Sequence, residues 1–171
     1  MARWPDVELS MLRLATVRDL ERINEIYNHY VRHSTCTYQE EPESSEARVA
    51  WFEAHGPDHP VTVVERDGQI VGWGSLSPYR ARSAYRFTVE NSVYVDHRWH
   101  RQGIGSLLLG DLVARARSAG HHAILAGIDA SQEASVALHG RHGFVPVAHL
   151  REVGYKFDRW LDVIYMQLVL R

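Results

Sequence analysis

Apolar and polar residues follow two different periods along the chain, and each period predicts its own kind of element. Apolar residues three or four positions apart indicate an amphipathic helix, whereas strict alternation indicates a strand with one covered face. The helical period follows a short apolar strand at 11–14 and a capping residue, Thr16. It runs through Leu20, Ile23, Tyr27 and Tyr30. A second helix is predicted after Ser44 or Ser45, and residues 35–39 between the helices are expected to run extended.

Strands follow in the middle of the chain. Residues 61–66 and 69–74 are two apolar-rich runs separated by Asp67-Gly68, a pair typical of a tight hairpin turn. After a polar loop at 78–84, residues 85–95 alternate strictly. One face of that strand carries Phe87, Val89, Asn91, Val93 and Val95, and the other carries Arg86, Thr88, Glu90, Ser92 and Tyr94.

The last third of the chain switches between helices and strands. The predicted elements are a helix at 106–119, a strand at 123–128, a helix from Ser131 or Gln132 to just before Gly143, and strands at 144–147 and 160–170 separated by a loop at 151–158. The strand at 123–128 does not alternate, which indicates cover on both faces. Hairpins first and a β-α-β-α unit later predict an α/β domain with a mixed sheet and helices on both faces.

Length and composition indicate one globular domain. The 171 residues are 45% hydrophobic and 23% charged, which is ordinary for a globular protein. We expect residues 1–10 to form a leader without a signal-peptide core, and 11–171 to form the domain. A net charge of −2 and a pI near 6.6 argue against a nucleic-acid partner. No apolar run approaches the roughly 18 residues that span a bilayer, so we expect no membrane partner.

Neither the single cysteine nor a histidine pair predicts a reactive centre. Cys36 has no second cysteine with which to form a disulfide, which fits a reducing cytoplasm, and no neighbouring residue marks it as an activated nucleophile. His29 and His33 lie one helical turn apart, a spacing that could bind a metal ion. No third ligand is evident, so a surface pair is favoured and no metal is expected.

The candidate chemistry begins where the strand at 85–95 ends. A short basic turn with Arg98 and Arg101 leads into Gly103-Ile104-Gly105, which opens a helix. N–H groups at a helix start have no intrahelical partner, and glycine lets a phosphate approach them. The stretch predicts a pyrophosphate-binding turn, with a plain strand-to-helix turn as the alternative. NAD is not expected, because the spacing is not Gly-x-Gly-x-x-Gly and the strand before it is a late one.

This turn and the predicted order of elements resemble the GNAT superfamily of acetyl-CoA-dependent N-acetyltransferases, from Leu12 to about Leu170. The segment 100–105 is similar to the family's acetyl-CoA loop, in which Gln or Arg precedes two further residues, Gly, any residue, and Gly or Ala. His100 stands in the first position here, which keeps the amide-based grip and loses one usual side chain. A run at 135–139, followed by Gly143-Phe144, looks like the family's second signature, in which Gln132 stands where an Asn normally contacts the cofactor.

Further stretches resemble the phosphinothricin acetyltransferase group more narrowly. They are Tyr27-Asn28-His29-Tyr30 with Ser34-Thr35, Arg80-Ala81-Arg82-Ser83-Ala84-Tyr85, Thr88-Val89-Glu90-Asn91-Ser92-Val93-Tyr94-Val95, Gly154-Tyr155-Lys156 and Trp160-Leu161-Asp162-Val163. The resemblance implies the GNAT fold, a three-layer αβα sandwich with a mixed, largely antiparallel sheet of about seven strands. It also implies a cytoplasmic homodimer with a role in detoxification, with the C-terminal strands or the loop at 151–158 as contacts.

The same resemblance implies the reaction. The chain is expected to be an N-acetyltransferase that moves the acetyl group of acetyl-CoA directly to an amine in a ternary complex. The expected acceptor is the α-amine of an amino acid or of an acidic analogue such as phosphinothricin, methionine sulfoximine or methionine sulfone. Two alternatives stay open: acetylation of another amine, such as a protein N-terminus, and a CoA-binding module without catalysis.

Individual site residues follow from the positions that they share with the family. Glu90 is the expected general base, and His139 is expected to protonate the departing thiolate or to assist Glu90; a polar strand residue and a structural histidine are the alternatives. Contacts with acetyl-CoA, including backbone donors for the oxyanion, are expected from Val93, Tyr94, Val95, Arg98, Arg101, Gln102, Gly103, Ile104, Gly105, Ser106, Gln132 and Ser135. Contacts with the acceptor are expected from Tyr38, Arg80, Arg82 and Tyr85, with the guanidinium groups paired to its acid.

Overall fold

The computed structural model describes residues 10–171, so the predicted leader at 1–10 lies outside the described residues except for its last position. In chain order the elements are β1 (Met11–Leu14), α1 (Leu20–His33), α2 (Ser45–Glu53), β2 (Val61–Arg66), β3 (Gln69–Pro78), β4 (Thr88–Val95), α3 (Ile104–Ser118), β5 (Ala123–Asp129), α4 (Glu133–Arg141), β6 (Val145–Lys156) and β7 (Arg159–Val169). Short 3₁₀ turns lie at Val17–Asp19, Ser83–Tyr85 and His97–Trp99.

The seven strands form a single sheet in the order β1-β2-β3-β4-β5-β7-β6. Every neighbouring pair is antiparallel except β4 and β5, which run parallel. β1 and β6 are therefore the two edges, and the parallel pair lies in the interior of the sheet. This confirms the predicted mixed, largely antiparallel sheet.

Helices cover both faces of the sheet, as the sequence predicts. On one face α1 buries Leu20, Ile23 and Ile26 against Trp73 of β3. On the other face the apolar side of α3 meets β3 and β4, and α4 lies beside it; the core there includes Leu76, Val89, Leu109, Leu112, Ile124, Phe144 and Met166. The resulting three layers confirm the αβα sandwich. Within residues 10–171, no helix is long and apolar enough to cross a membrane.

Local sequence signals account for two of the connections. Asp67 and Gly68 both adopt positive φ, 50° and 72°, as a two-residue hairpin turn between β2 and β3 requires. Ser44 caps α2, because its side chain accepts a hydrogen bond from the Ala47 N–H at 3.1 Å. Both predictions are confirmed.

The strand predicted at 85–95 is shorter than expected. It begins at Thr88, and Tyr85 lies in a 3₁₀ turn whose N–H donates to the Arg82 carbonyl at 2.9 Å. The reason lies in the neighbouring strand, since β3 ends at Pro78, which pairs with Val89 and leaves no strand to pair with earlier residues of β4. At the other end of this segment, α3 starts at Ile104 rather than at 106.

The predictions for two segments, a loop at 151–158 and an extended run at 35–39, were wrong. The loop predicted at 151–158 belongs mostly to β6, which reaches Lys156 and turns into β7 through Phe157 and Asp158, both at positive φ. The polar residues that suggested a loop form a bulge, where the register shifts between Leu150 and Gly154. Residues 35–37, at the start of the run predicted to be extended, form bends, and residues 38 and 39 belong to no helix or strand.

Candidate active site

A cleft opens where the two parallel strands separate. β4 and β5 pair only from Thr88–Glu90 with Ala123–Leu125. Beyond that point β4 remains paired to β3 as far as Val95, and β5 remains paired to β7 as far as Asp129, so the two strands diverge. A cavity of about 510 Å³ fills the gap, walled by both strands, the start of α3 and one side of α4.

Most of the residues predicted to contact acetyl-CoA line this cavity. They are Val93, Tyr94, Val95, Arg101, Gly103, Ile104, Gly105, Ser106, Gln132 and Ser135. A second cavity, of about 550 Å³, lies among residues 14–15, 52–61 and 115–119 and contains none of the predicted site residues. The structure therefore brings the two signature segments together at one cleft.

Glycine geometry shapes the start of α3. Gly103 precedes the helix with φ of 78°, a conformation that residues with a side chain rarely adopt. The first intrahelical bond runs from the Leu107 N–H to the Gly103 carbonyl, at 3.0 Å. The N–H groups of residues 104–106 precede it and have no intrahelical partner. A Cβ on Gly105 would stand 3.3 Å from the Leu138 side chain, so this glycine also lets α3 approach α4.

The basic turn before α3 is held by a buried carboxylate. Asp96 accepts hydrogen bonds from the Arg98 N–H at 3.0 Å, from the Arg98 Nη2 at 2.7 Å and from Arg22. Burial alone would raise the pKa of Asp96, but the hydrogen bonds from Arg98 and Arg22 hold this pKa well below its usual range. The guanidinium of Arg98 is thus committed to shaping the turn.

The other polar side chains of the turn differ in whether they already have a hydrogen-bond partner. Gln102 accepts a hydrogen bond from Arg66 Nη1 at 2.8 Å, which ties the turn to β2. Arg101 has positive φ, 61°, lines the cavity and makes no side-chain hydrogen bond within residues 10–171. Arg101 is therefore the guanidinium of this turn that is available to a ligand.

His100, which departs from the usual family residue, joins the turn to α1. Its Nε2 lies 2.6 Å from the hydroxyl of Tyr30, and that hydroxyl donates to the carbonyl of Val95. Because the hydroxyl has a single proton, His100 Nε2 must be the donor to the Tyr30 oxygen. The side chain at this position therefore connects the turn to α1 and, through Tyr30, to β4.

Glu90 lies on the opposite face of β4 from Asn91, toward the layer of α1. Burial raises its pKa, and its side chain accepts no hydrogen bond from the described residues. A Cβ on Gly127 of β5 would stand 3.4 Å both from Glu90 Oε1 and from the ring of Tyr165. The lack of a side chain at 127 therefore gives the Glu90 carboxylate and the Tyr165 ring room to pack against β5. A partly buried carboxylate of raised pKa is suited to act as a base.

His139 lies in α4 at the wall of the cavity and is 4% exposed. Its Nδ1 is 2.8 Å from the carbonyl oxygen of Ser135, and since a carbonyl only accepts, Nδ1 carries the proton. Nε2 is then an acceptor, and the amide of Asn91 donates to it at 3.0 Å. Burial lowers the pKa of His139, so its imidazole is neutral at neutral pH.

The predicted acceptor residues fall into two groups. Arg80 lies over the rings of Tyr79 and Tyr85, at 5.0 and 5.8 Å, beside the β3–β4 connection. Arg82 is exposed in the same connection. Tyr38 lies elsewhere: its hydroxyl donates to Asp129 Oδ2 at 2.7 Å, at the end of β5.

Sequence reasoning missed several residues of the cleft. Tyr165 of β7 lies beside the predicted base, because a Cβ on Gly127 would stand 3.4 Å from both side chains. Burial and the neighbouring Glu90 and Tyr79 raise the pKa of Tyr165. Asn91, Gly127, Cys36 and Asp129 line the cavity itself. No local motif marks them, because they reach the cleft only through the pairing of β4, β5 and β7.

The histidine pair of α1 gains a neighbour in the structure. The rings of His29 and His33 are 4.9 Å apart, and His97 stacks on His29 at 3.8 Å. Across residues 10–171, no three His, Cys, Asp or Glu side chains are arranged to hold a metal ion.

Comparisons with known proteins agree with this geometry. The sequence pattern of the Acetyltransferase (GNAT) family matches residues 22–144. The L-methionine sulfoximine/L-methionine sulfone acetyltransferase of Salmonella typhimurium is 39% identical over 160 residues, covering 93% of this chain and 94% of the relative. A phosphinothricin acetyltransferase from Sinorhizobium meliloti, solved in complex with AcCoA, is 36% identical with a TM-score of 0.91 over 94% of this chain and 88% of that one. A ribosomal-protein-alanine N-acetyltransferase from Brucella melitensis is 40% identical, also with a TM-score of 0.91, over 94% of this chain and 99% of that one.

Proposed function

Because the chain belongs to the acetyltransferase (GNAT) family, we propose that it acetylates the α-amine of an amino acid whose side chain ends in an acidic or strongly polar tetrahedral group. Methionine sulfoximine, methionine sulfone and phosphinothricin are the acceptors of this class that the names of its relatives suggest. The acetyl donor is acetyl-CoA. The single observation that carries the proposal is the Glu90 carboxylate, which is partly buried against Gly127 of β5 and lies next to the cleft between β4 and β5.

Acetyl-CoA fits the cleft through backbone groups. The free N–H groups at the start of α3, together with Arg101, suit its pyrophosphate. The edge of β4 at 93–95, which β5 leaves unpaired, can pair with the amide groups of the cofactor and supply an N–H donor to the oxyanion. Gln132 and Ser135 at the start of α4 are further predicted contacts of acetyl-CoA, as are Ser106 and Gln102.

The chemistry requires two proton movements. The protonated amine loses a proton, its nitrogen attacks the thioester carbonyl, the C–N bond forms and the C–S bond breaks. The amide nitrogen sheds a second proton, and the departing thiolate takes one up to become the free thiol of CoA. We assign removal of the first proton to Glu90, directly or through a water, and we propose His139 as a participant in the second. Direct transfer in a ternary complex is part of this proposal.

The acceptor's acid is assigned to the β3–β4 connection. Arg80 lies over two neighbouring aromatic rings, and this contact favours some conformations of its guanidinium before a ligand arrives. Arg82 and Tyr85 belong to the same surface, and Tyr38 remains a predicted contact at the Asp129 end. In this proposal the acid of the acceptor binds away from the thioester, and its amine binds close to Glu90.

A second acceptor class is supported by one comparison. The Brucella melitensis neighbour is named for acetylating an alanine of a ribosomal protein, so a peptide amine is the alternative acceptor. A non-catalytic CoA-binding module remains the other alternative, and the raised pKa of Glu90 argues against it.

An exposed edge supports a homodimer. The edge strand β6, the following turn and the start of β7 expose large apolar side chains: Val145, Val147, Val153, Tyr155, Phe157 and Trp160. A long apolar edge strand favours association with another chain. We therefore propose that β6 and the start of β7 form the interface of a homodimer. We also propose that residues 11–171 act as one domain, and that the protein works in the cytoplasm in detoxification; the single cysteine supports that location.

Thiol release from acetyl-CoA tests the acceptor class. The panel contains phosphinothricin, methionine sulfone, methionine sulfoximine, methionine and a peptide with an N-terminal alanine. We expect kcat/KM for the first three to exceed that for methionine and the peptide by at least about tenfold, a discrimination of roughly 1.4 kcal/mol. A preference for the peptide would favour the alternative acceptor, and no release with any acceptor would favour the binding module.

A further inference from the structure

Asn91 and His139 form a closed polar pair inside the cavity wall. Asn91 is 9% exposed and His139 is 4% exposed. The Asn91 Nδ2 donates to His139 Nε2 at 3.0 Å, while His139 Nδ1 donates to the carbonyl of Ser135 at 2.8 Å. All donors and acceptors of the imidazole are thus used, in one neutral tautomer.

The pair leaves one atom without a partner. Asn91 Oδ1 is buried and accepts no hydrogen bond from the described residues. A buried carbonyl oxygen without a donor is uncommon in proteins, because it has lost its hydrogen bonds to water. Oδ1 belongs to the same carboxamide that faces His139, so a half-turn of that carboxamide exchanges the donor for an acceptor.

We propose that Asn91 is a positioning residue that sets the tautomer of His139 and follows its protonation by turning its carboxamide. In the neutral state Nδ2 donates to the lone pair of Nε2. When Nε2 gains a proton, the turned carboxamide presents Oδ1 as the acceptor, while Nδ1 keeps its bond to Ser135. The unpartnered oxygen is thereby the group that accommodates the imidazolium. This inference rests on the proposed acetyl transfer, in which His139 takes part in proton movement.

Apart from burial, which lowers the pKa of His139, the polar side chain that acts on Nε2 is that of Asn91. From β4, Asn91 is uncharged, and from the segment after α4, Phe144 packs edge-on against the imidazole at 5.0 Å. His142 near the end of α4 is the other ionisable group that acts on His139 within residues 10–171, and it disfavours the imidazolium. Glu90 is next to Asn91 in sequence but lies on the other face of β4.

The test compares N91D and N91L, two variants close to asparagine in shape. The carboxylate of N91D can only accept, so it favours the imidazolium and moves the titration of His139 upward by about one pH unit or more. The side chain of N91L offers neither donor nor acceptor, so the titration moves downward. Nitrogen NMR of the histidine side chains follows both, and loss of one signal in H139Q identifies His139. In the wild type we expect a single neutral tautomer with the proton on Nδ1.

His121 provides the internal control, because its Nε2 is 2.7 Å from the carbonyl oxygen of Asp58, which lines the second cavity and not the cleft. Its signal should be unchanged in both variants. Shifts of His139 in the same direction in both variants, or no shift in either, would overturn the proposal. If N91D does not fold, N91S is compared with N91A instead. The serine hydroxyl can donate a hydrogen bond to Nε2 of His139 or accept one from it, whereas the alanine side chain can do neither.

Turnover adds a readout that packing alone would not change. We expect the inflection of kcat against pH that follows the titration of His139 to move upward in N91D. The acid limb of kcat/KM, which follows Glu90, should keep its position, and the Kd of acetyl-CoA should stay within about threefold. An NMR shift without a change in the pH profile would overturn the role in turnover. If the wild type released no thiol with any acceptor, the proposed function would fail, and the NMR comparison would still decide the Asn91–His139 pairing.

Discussion

At the scale of single residues, two carboxylates of the β4 segment near the cleft differ in what surrounds each. Glu90 has a pKa raised by burial and no hydrogen-bond donor among residues 10–171, while Asp96 has a pKa lowered by two arginines that outweigh its burial. The first is prepared to accept a proton and the second to stay charged. The surroundings of a carboxylate therefore decide whether it is poised to take up a proton or holds a turn in place.

Replacement of Glu90 tests the assignment of the base. We expect E90Q to lower kcat by about 100-fold or more, because an amide cannot take the proton from the amine. The Kd of acetyl-CoA, measured by calorimetry, should be unchanged. E53Q, at the exposed end of α2, is the matched control and should retain full kcat. Unchanged turnover in E90Q would remove Glu90 from the mechanism.

The pH dependence follows from the raised pKa of Glu90. A base works only when deprotonated, so activity falls as the pH falls through the pKa of Glu90, at a higher pH than for an exposed glutamate, about 4.3. The acid limb of kcat/KM should thus lie above that value in the wild type. The residual activity of E90Q should lack this acid limb. If E90Q kept an acid limb at the same pH as the wild type, the limb would belong to a group other than Glu90.

At the scale of elements, the connection from β4 to α3 depends on Asp96. We expect D96N to lower the free energy of unfolding by about 1–3 kcal/mol, because hydrogen bonds from Arg22 and Arg98 lose their charged acceptor. A carboxyl whose pKa is lowered by folding stabilises above its unfolded pKa, about 3.9, and that contribution is lost as the pH falls through the folded value. The difference from the wild type in urea unfolding should therefore be largest near neutral pH and shrink below about pH 4. D111N, which breaks an ion pair within α3, should cost less than about 0.5 kcal/mol.

The loop after α1 depends on a glycine in β6. A Cβ on Gly154 would stand 2.4 Å from the ring of Tyr38, so G154A must displace that ring and its hydroxyl from Asp129. We expect a loss of about 1–3 kcal/mol in unfolding free energy. G140A in α4, where a Cβ meets nothing within 4 Å, is the matched control and should be neutral or stabilising by up to about 1 kcal/mol. Equal stabilities of the two variants would contradict the role of the Tyr38 contact.

At the scale of the whole molecule, the apolar edge at β6 predicts how copies associate. Trp160 is 62% exposed beside Tyr155, with ring centroids 5.0 Å apart. We expect W160E to raise the dimer dissociation constant by at least about tenfold, since aromatic anchors carry much of an interface's energy. Sedimentation velocity measures the change. V17E, which alters a side chain 67% exposed next to the opposite edge strand, should leave the association unchanged.

The local sequence determined the element types and one half of the site. The alternation of β4, the Asp67-Gly68 turn and the glycines before α3 act through short-range sterics and hydrogen bonds, so they are visible without neighbours. Resemblance to a family added the candidate roles of Glu90 and His139. The predicted limits of the strands were wrong where pairing with a neighbouring strand decides them. Tyr85 is not part of β4, because β3 ends at Pro78 and offers no partner there. Most of 151–158 is strand, because pairing with β7 holds this polar segment in β6 with a bulge.

Tertiary structure alone decided the other half. The divergence of β4 and β5 creates the cleft because each strand is held by a different neighbour, and no local pattern contains that information. The same pairing carries Tyr165 and Gly127 to Glu90 and sets Asn91 against His139, residues 48 positions apart in the chain. Protonation states follow from burial and from such partners, so the sequence could nominate the titratable groups, and only the fold could set their charge.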